Sequence, residues 1–368
     1  MTMPPSGPWP PPPPGPGQQP PSWGSQPPWG PPPQRGGNRG KWILGGIALV
    51  VVIGLTVVAT LLVTRDDSGS GEPTASAPPS TSADTSDIAS ADDRGPVGII
   101  TEDPTCAAWG PINAAFVHAS DGGWGRRDPN VPAEDWNPEE RAQYQAVGAA
   151  LVSAADLSIE LARGTTHRVM RELYEQFIAY SRAYVDRIPT YRARDDQLVR
   201  VAISISTAVT AICDAITHGV AGARAPLVAD AAPPTRLERL GDPAHPQRFL
   251  QAAIPVCDEW LPAIDAFSSD TEAWRALDPN IPSSQLDASQ RDINAAVMPI
   301  MREFATTTQL LGRQSENQIF EDFATLSAQY RRAYTSALTT YAVADNYLQI
   351  VAGSAAGALT GACRSAEA

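Results

Sequence analysis

Lysine is all but missing: Lys41 is the only one in 368 residues, and every other basic side chain is arginine. That bias fits GC-rich coding better than any chemical requirement. Acidic residues are missing from the first 41 positions, whose only charges are Arg35, Arg39 and Lys41, so the remainder is more acidic than the whole-chain net charge of -13. An acidic remainder argues against nucleic acid or an anionic membrane surface as its main partner. Histidine is scarce, and His118, His167, His218 and His245 make no HxxxH or HExxH pair, so no metal site is expected. The four cysteines contain no CxxC, which excludes a zinc ribbon and a thioredoxin-like motif. A Gly-x-Ser-x-Gly elbow is absent too, since Gly353-Ser354-Ala355-Ala356-Gly357 has the wrong spacing and sits on a helical stripe. Carboxylates such as Glu139, Glu140, Asp195 and Asp196 fall at expected helix starts, where capping accounts for them. No catalytic, cofactor-binding or metal residue is assigned.

What is present is one long apolar run. Trp42 to Val63 is interrupted only by Thr56 and Thr60, and at about 1.5 Å per residue it just spans a hydrocarbon core of about 30 Å. We read residues 42–63 as a transmembrane helix. Basic residues precede it, whereas Asp66 and Asp67 follow, so the N-terminus is expected in the cytoplasm and the rest outside. Ala75-Ser76-Ala77 could serve as a signal cleavage site, but the long tail and full-length span favour an uncleaved anchor.

Residues 1–41 are a Pro-rich tail, with Trp9, Trp23 and Trp29 set among prolines, and are expected to be disordered with polyproline II character. Residues 64–102 are rich in Ser, Thr, Pro and Asp and read as an extended stalk.

Beyond the stalk the chain repeats itself. Cys106-Ala-Ala-Trp109 recurs as Cys257-Asp-Glu-Trp260, Asp128-Pro-Asn-Val-Pro132 as Asp278-Pro-Asn-Ile-Pro282, and Tyr180-Ser-Arg-Ala-Tyr184 as Tyr330-Arg-Arg-Ala-Tyr334. So many ordered matches point to internal duplication. The expected modules are residues 103–219 and 254–368, joined by a linker at 220–253.

Each module carries helical apolar stripes, such as Met170, Leu173, Phe177, Tyr180 and Tyr184, then Leu198, Val201, Ile205, Val209 and Ile212. Asn137-Pro138-Glu139-Glu140, Asp287-Ala-Ser-Gln290 and Ser315-Glu-Asn-Gln318 have the form of helix starts. The fold expected is therefore all-α: two tandem homologous four-helix modules behind a single transmembrane helix. In an up-down-up-down bundle the start of the first helix and the end of the fourth share one end. Pairing of Cys106 with Cys213 and of Cys257 with Cys363 follows, against two other connectivities.

Tyr180, Arg182, Tyr184 and their counterparts Tyr330, Arg332, Tyr334, with Trp124 and Trp274, are the candidate binding surface, since Tyr, Trp and Arg dominate interface hot spots. The competing reading, favoured by the helical spacing, puts the tyrosines on the core stripe with Arg beside them and each Trp packing a bundle end.

The Pro-rich tail, single anchor, Ser/Thr/Pro stalk and Lys-poor, Cys-bearing exported part resemble the proline-rich single-pass membrane proteins of mycobacteria and related actinobacteria. The resemblance covers about the first hundred residues and implies an envelope location, not an activity. The expected function is a non-enzymatic, plasma-membrane-anchored binding or scaffolding protein with an envelope protein as partner. An envelope ligand or lipid carrier and an envelope hydrolase are the alternatives.

Overall fold

The computed structural model describes residues 87–121, 123–237 and 239–366. The expected Pro-rich tail, the span at 42–63 and most of the stalk lie outside the described residues. Among the described residues ten α-helices form and there is no strand. They all lie in a single compact unit.

The first helix set comprises α1 (Cys106–Ser120), α2 (Pro138–Gly164), α3 (Arg168–Arg187) and α4 (Asp196–Thr217), extended by the short α5 (Val220–Arg224). The second comprises α6 (Val256–Asp270), the single turn α7 (Glu272–Arg275), α8 (Ala288–Gln314), α9 (Gln318–Ala337) and α10 (Asn346–Ala366). Side-chain capping sets the starts of α2, α8 and α9. The Asn137 side chain accepts from the Glu140 amide at 2.9 Å while Glu140 accepts from the Asn137 amide, with Pro138 at the first helical position. Asp287 and Gln290 repeat that reciprocal pair on α8. On α9 the cap is Asn317, which accepts from Phe320 N–H at 3.0 Å. Ser315, expected to open that helix, instead closes α8, its hydroxyl donating to the Gly312 carbonyl at 2.6 Å, because the connection is only three residues long.

The disulfides are Cys106–Cys213 and Cys257–Cys363, each joining the first and last long helix of a set. Other contacts recur between the sets. The indole N–H of Trp109 donates to the Thr210 hydroxyl at 2.9 Å, and that of Trp260 to Thr360 at 3.0 Å. The Tyr191 hydroxyl donates to the Pro129 carbonyl at 2.9 Å, and Tyr341 to Pro279 at 2.6 Å, pinning each Asp-Pro-Asn-x-Pro turn to the foot of its last helix.

The sets are joined along α4 and α10, the most extensive helix pairing in the unit. Glycines on α10 allow the close approach: a Cβ at Gly361 would sit 2.9 Å from the Val201 side chain and one at Gly357 would sit 3.2 Å from the Ser204 hydroxyl. The apolar core is consequently continuous, running from Val201, Ile205 and Val209 into Val351, Ala355 and Leu359.

The segments ahead of α1 and α6 cross to the opposite sets. Ile100 N–H donates to the Tyr330 hydroxyl of α9 at 3.1 Å, while the Tyr180 hydroxyl of α3 donates to the Leu250 carbonyl at 3.5 Å. Ile88, Ser90, Val97 and Ile100 are buried. The last part of the expected stalk thus belongs to the folded unit, because its Val and Ile side chains find an apolar groove.

Residues 138–164 and 193–217 are long and apolar enough to cross a membrane by length and composition. Their apolar residues have an explanation in the fold: Leu151, Val201, Ile205 and Ile212 are fully buried in the protein core.

Candidate functional site

The eight residues picked from the sequence do not form one surface. Tyr180, Tyr184 and Tyr330 are wholly buried and Tyr334 nearly so, and burial pushes all four hydroxyls above the ordinary phenol range. Periodicity had already placed these rings on the core stripe. Arg182 and Arg332 are half-buried and tie helices together. Arg182 donates to Asp156 of α2 at 2.7 Å and to the Ala244 carbonyl at 2.6 Å, and Arg332 donates to Gln309 of α8 at 2.8 Å.

Trp124 joins Tyr184 instead, and Trp274 joins Tyr334, at the ends of the two sets. Trp124 is buried edge-on to Tyr144 at 4.9 Å and to Tyr184 at 6.2 Å, with the Arg127 guanidinium 3.6 Å from its ring centre. Arg127 in turn pairs with the buried Asp196 carboxylate, which also accepts from Arg200 at 2.6 Å. Trp274 is only partly buried, 5.7 Å edge-on from Tyr334.

The polar chemistry that sequence reasoning missed lies where α3 and α9 meet. Arg168, Arg171, Glu172 and Asp322 are all buried. Arg168 Nε donates to Asp322 at 2.8 Å, and Glu172 lies 3.9 Å from Arg168 and 3.7 Å from Arg171. Arg171 donates to both Glu175 oxygens, at 2.9 and 3.1 Å. Burial and the neighbouring Asp322 carboxylate push the Glu172 carboxyl well above the usual range, against the pull of Arg171 and Arg168. A signal for this site existed: Glu172 and Asp322 occupy matching positions, 150 residues apart, in the duplicated pattern. Arg171/Glu175 and Arg168/Glu172 at i,i+4 look like ordinary solvent pairs, which hid it.

A third buried arginine stands apart. Arg331 lies 4.6 Å over Phe267 and 5.1 Å over Phe304, two rings stacked at 3.9 Å, and donates to Gln349 at 3.3 Å. Burial pushes it down to about 10.

Two open clefts lie elsewhere on the described surface. One of about 410 Å³ is lined by Trp136, Arg141, Gly148, Val152, Val185 and Ile188, and another of about 740 Å³ by Ile88, Glu160, Arg163 and Asp242. Among the described residues no group of three or more His, Cys, Asp or Glu side chains is placed to hold a metal ion.

A family model described as Mycobacterial ESX-1 associated protein matches residues 88–367. An uncharacterized protein of Mycolicibacterium smegmatis (strain MKD8) is 49% identical over 335 residues, which cover 89% of this chain and 86% of that protein. No solved structure matches.

Proposed function

Because the chain belongs to the mycobacterial ESX-1 associated protein family, we propose that it is a membrane-anchored, extracytoplasmic binding or scaffolding protein that engages a protein partner of that secretion system in the cell envelope, without turnover of its own. The observation that carries this reading is where the buried charges are spent. Arg168 reaches Asp322 of the second set and also donates to the Asp93 and Gly95 carbonyls at 2.9 and 3.1 Å. The ionic groups thereby lock the leading segment and both helix sets into one body, as a platform at the end of a tether requires. The family match begins at residue 88, where that packed segment begins. The recurring disulfides and Trp and Tyr contacts support two tandem homologous modules arisen by duplication.

The test is crosslinking of the full-length tagged protein in cells with and without the secretion system. Crosslinks from residues 88–366 to a component of that system are expected. Crosslinks confined to the Pro-rich tail, or none that depend on the system, would overturn the proposal.

The envelope-carrier reading draws on one observation, the 410 Å³ cleft with Val152, Val185 and Ile188 on its wall. It exists where the first set has Gly148, whereas the matching position of the second set is Met298, packed against the core. Retention of a lipid by the purified protein, lost in a Gly148→Met variant, would favour it.

A further inference from the structure

The meeting of α3 and α9 holds more acid than base. Four carboxyls, Glu172 and Glu175 from α3, Asp322 from α9 and Asp93 from the leading segment, share two guanidiniums, Arg168 and Arg171. Glu321, beside Asp322 in sequence, turns away to accept from the Thr235 hydroxyl at 2.5 Å. Glu172 and Asp322 are both 1% exposed, so neither can shed a second negative charge into water.

The same two arginines hold the segment 88–100. Arg171 Nε donates to the Ser90 hydroxyl at 3.2 Å, the backbone N–H of Arg168 donates to the Asp93 carboxylate at 2.7 Å, and the Arg168 guanidinium donates to the Asp93 and Gly95 carbonyls. Beyond these, the segment is fixed by Ala89 N–H donating to the Arg163 carbonyl at 2.8 Å and by Ile100 on Tyr330. Each arginine therefore faces the carboxyls on one side and the segment on the other.

We propose that the Glu172–Asp322 carboxyl pair is a proton-operated latch on segment 88–100, closed while the pair holds one proton and released when that proton leaves to solvent. Loss of the proton leaves two buried carboxylates around Arg168, 2.8 Å from Asp322 and 3.9 Å from Glu172, and draws both guanidiniums toward them, away from the Ser90 hydroxyl and the Asp93 and Gly95 carbonyls. The sign follows from where the proton sits. Burial and Asp322 raise Glu172 in the folded chain above the ordinary glutamate value, so the folded state keeps a proton the unfolded chain has lost. The Glu172 contribution to attachment is complete below the ordinary glutamate range and is lost as pH rises through the raised value.

Hydrogen exchange of the full-length protein in detergent, corrected for intrinsic rates, tests this. Between about pH 5 and about pH 9, protection of peptides covering 88–100 should fall by about tenfold or more while α4 peptides around Ile205 keep theirs. Glu172→Gln, which carries the neutral form permanently, should hold the segment at its low-pH protection across the range. Asp322→Asn removes the like charge and should move the release to lower pH. Equal loss in α4 and the segment, an unchanged profile in Glu172→Gln, or an unshifted release in Asp322→Asn would each overturn the latch. If Glu172→Gln fails to fold, Asp322→Asn carries the test alone.

Discussion

The foot of the last helix is built differently in the two sets. In the first, the buried carboxylate is Asp196, and its arginines are local: Arg127 from the turn after α1 and Arg200 one turn along α4. In the second, Asn346 occupies the matching position, and the buried carboxylate is Asp345, one residue earlier. Its arginine comes from outside. Arg224 of α5 donates Nε to Asp345 at 2.9 Å and its terminal nitrogen at 2.8 Å, a two-pronged pair in which Asp345 is 1% exposed. The first set neutralises its own buried charge, whereas the second relies on an extension of the first. A duplicated backbone has thus acquired a dependence that runs one way, alongside the reciprocal crossing of the segments at Tyr180 and Tyr330.

The largest test of that comparison concerns the feature the sets share. The disulfide loops span 107 and 106 residues, so removing either bridge by paired Cys→Ala changes should cost about 4 to 5 kcal/mol in the chain-entropy account. Equal losses in denaturant midpoint are expected for the two double variants. A clear inequality would mean that one set keeps structure in the denatured chain that the other does not.

Next comes the asymmetry itself. Arg224→Ala strands a buried carboxylate and should cost about 3 kcal/mol, with exchange rising first in α9 and α10. Arg127→Ala leaves Asp196 with Arg200 and loses the stack on Trp124, so about 2 kcal/mol is expected, centred on the first set. Arg224→Ala acting on the first set alone would remove the one-way dependence.

A smaller effect, of opposite sign, is expected at Arg331, whose counterpart in the first set is Ser181. Arg331 faces rings and an amide rather than a carboxylate, so exchanging it for an apolar side chain of similar length sheds a desolvation cost without stranding an anion. Arg331→Met should be neutral or stabilising by about 1 kcal/mol in urea unfolding. A loss of about 2 kcal/mol or more would show that the stacked Phe267–Phe304 pair depends on the cation.

These tests reach residues of unequal visibility in the sequence. The helical period found the buried stripe of α3, because Met170, Leu173, Phe177, Tyr180 and Tyr184 step along one face. It says nothing of Arg168, Arg171, Glu172 and Glu175, which lie off that stripe, since period analysis supposes that one face of a helix is covered. Here the other face is covered as well, by α9, by segment 88–100 and by the linker, whose Gln247 carbonyl and Phe249 N–H bond Gln176 at 3.0 and 2.9 Å. Coverage by distant chain is a tertiary fact that no local pattern carries. Val97, Ile99 and Ile100 were the one local hint, a short apolar cluster at the end of a polar stretch.

The smallest effects separate the two arginines of the expected binding surface from their tyrosines. Arg182 pairs with an Asp156 side chain that is 56% exposed, and Arg332 meets only neutral glutamines, so each truncation to Ala should cost less than about 1 kcal/mol. Tyr180→Ala and Tyr330→Ala empty fully buried sites and should cost about 3 to 5 kcal/mol. The contrast makes the arginines the usable probes of partner binding, since their loss leaves the fold in place. If the duplicated positions act together, Arg182→Ala and Arg332→Ala should each weaken crosslinking to the secretion-system partner, and by similar factors. If only Arg182→Ala does, the contact lies where Arg182 joins α3 to Asp156 of α2 and to the linker carbonyl of Ala244. Crosslinking unchanged in both variants would remove the two positions from the binding surface and leave their side chains as ties between neighbouring helices.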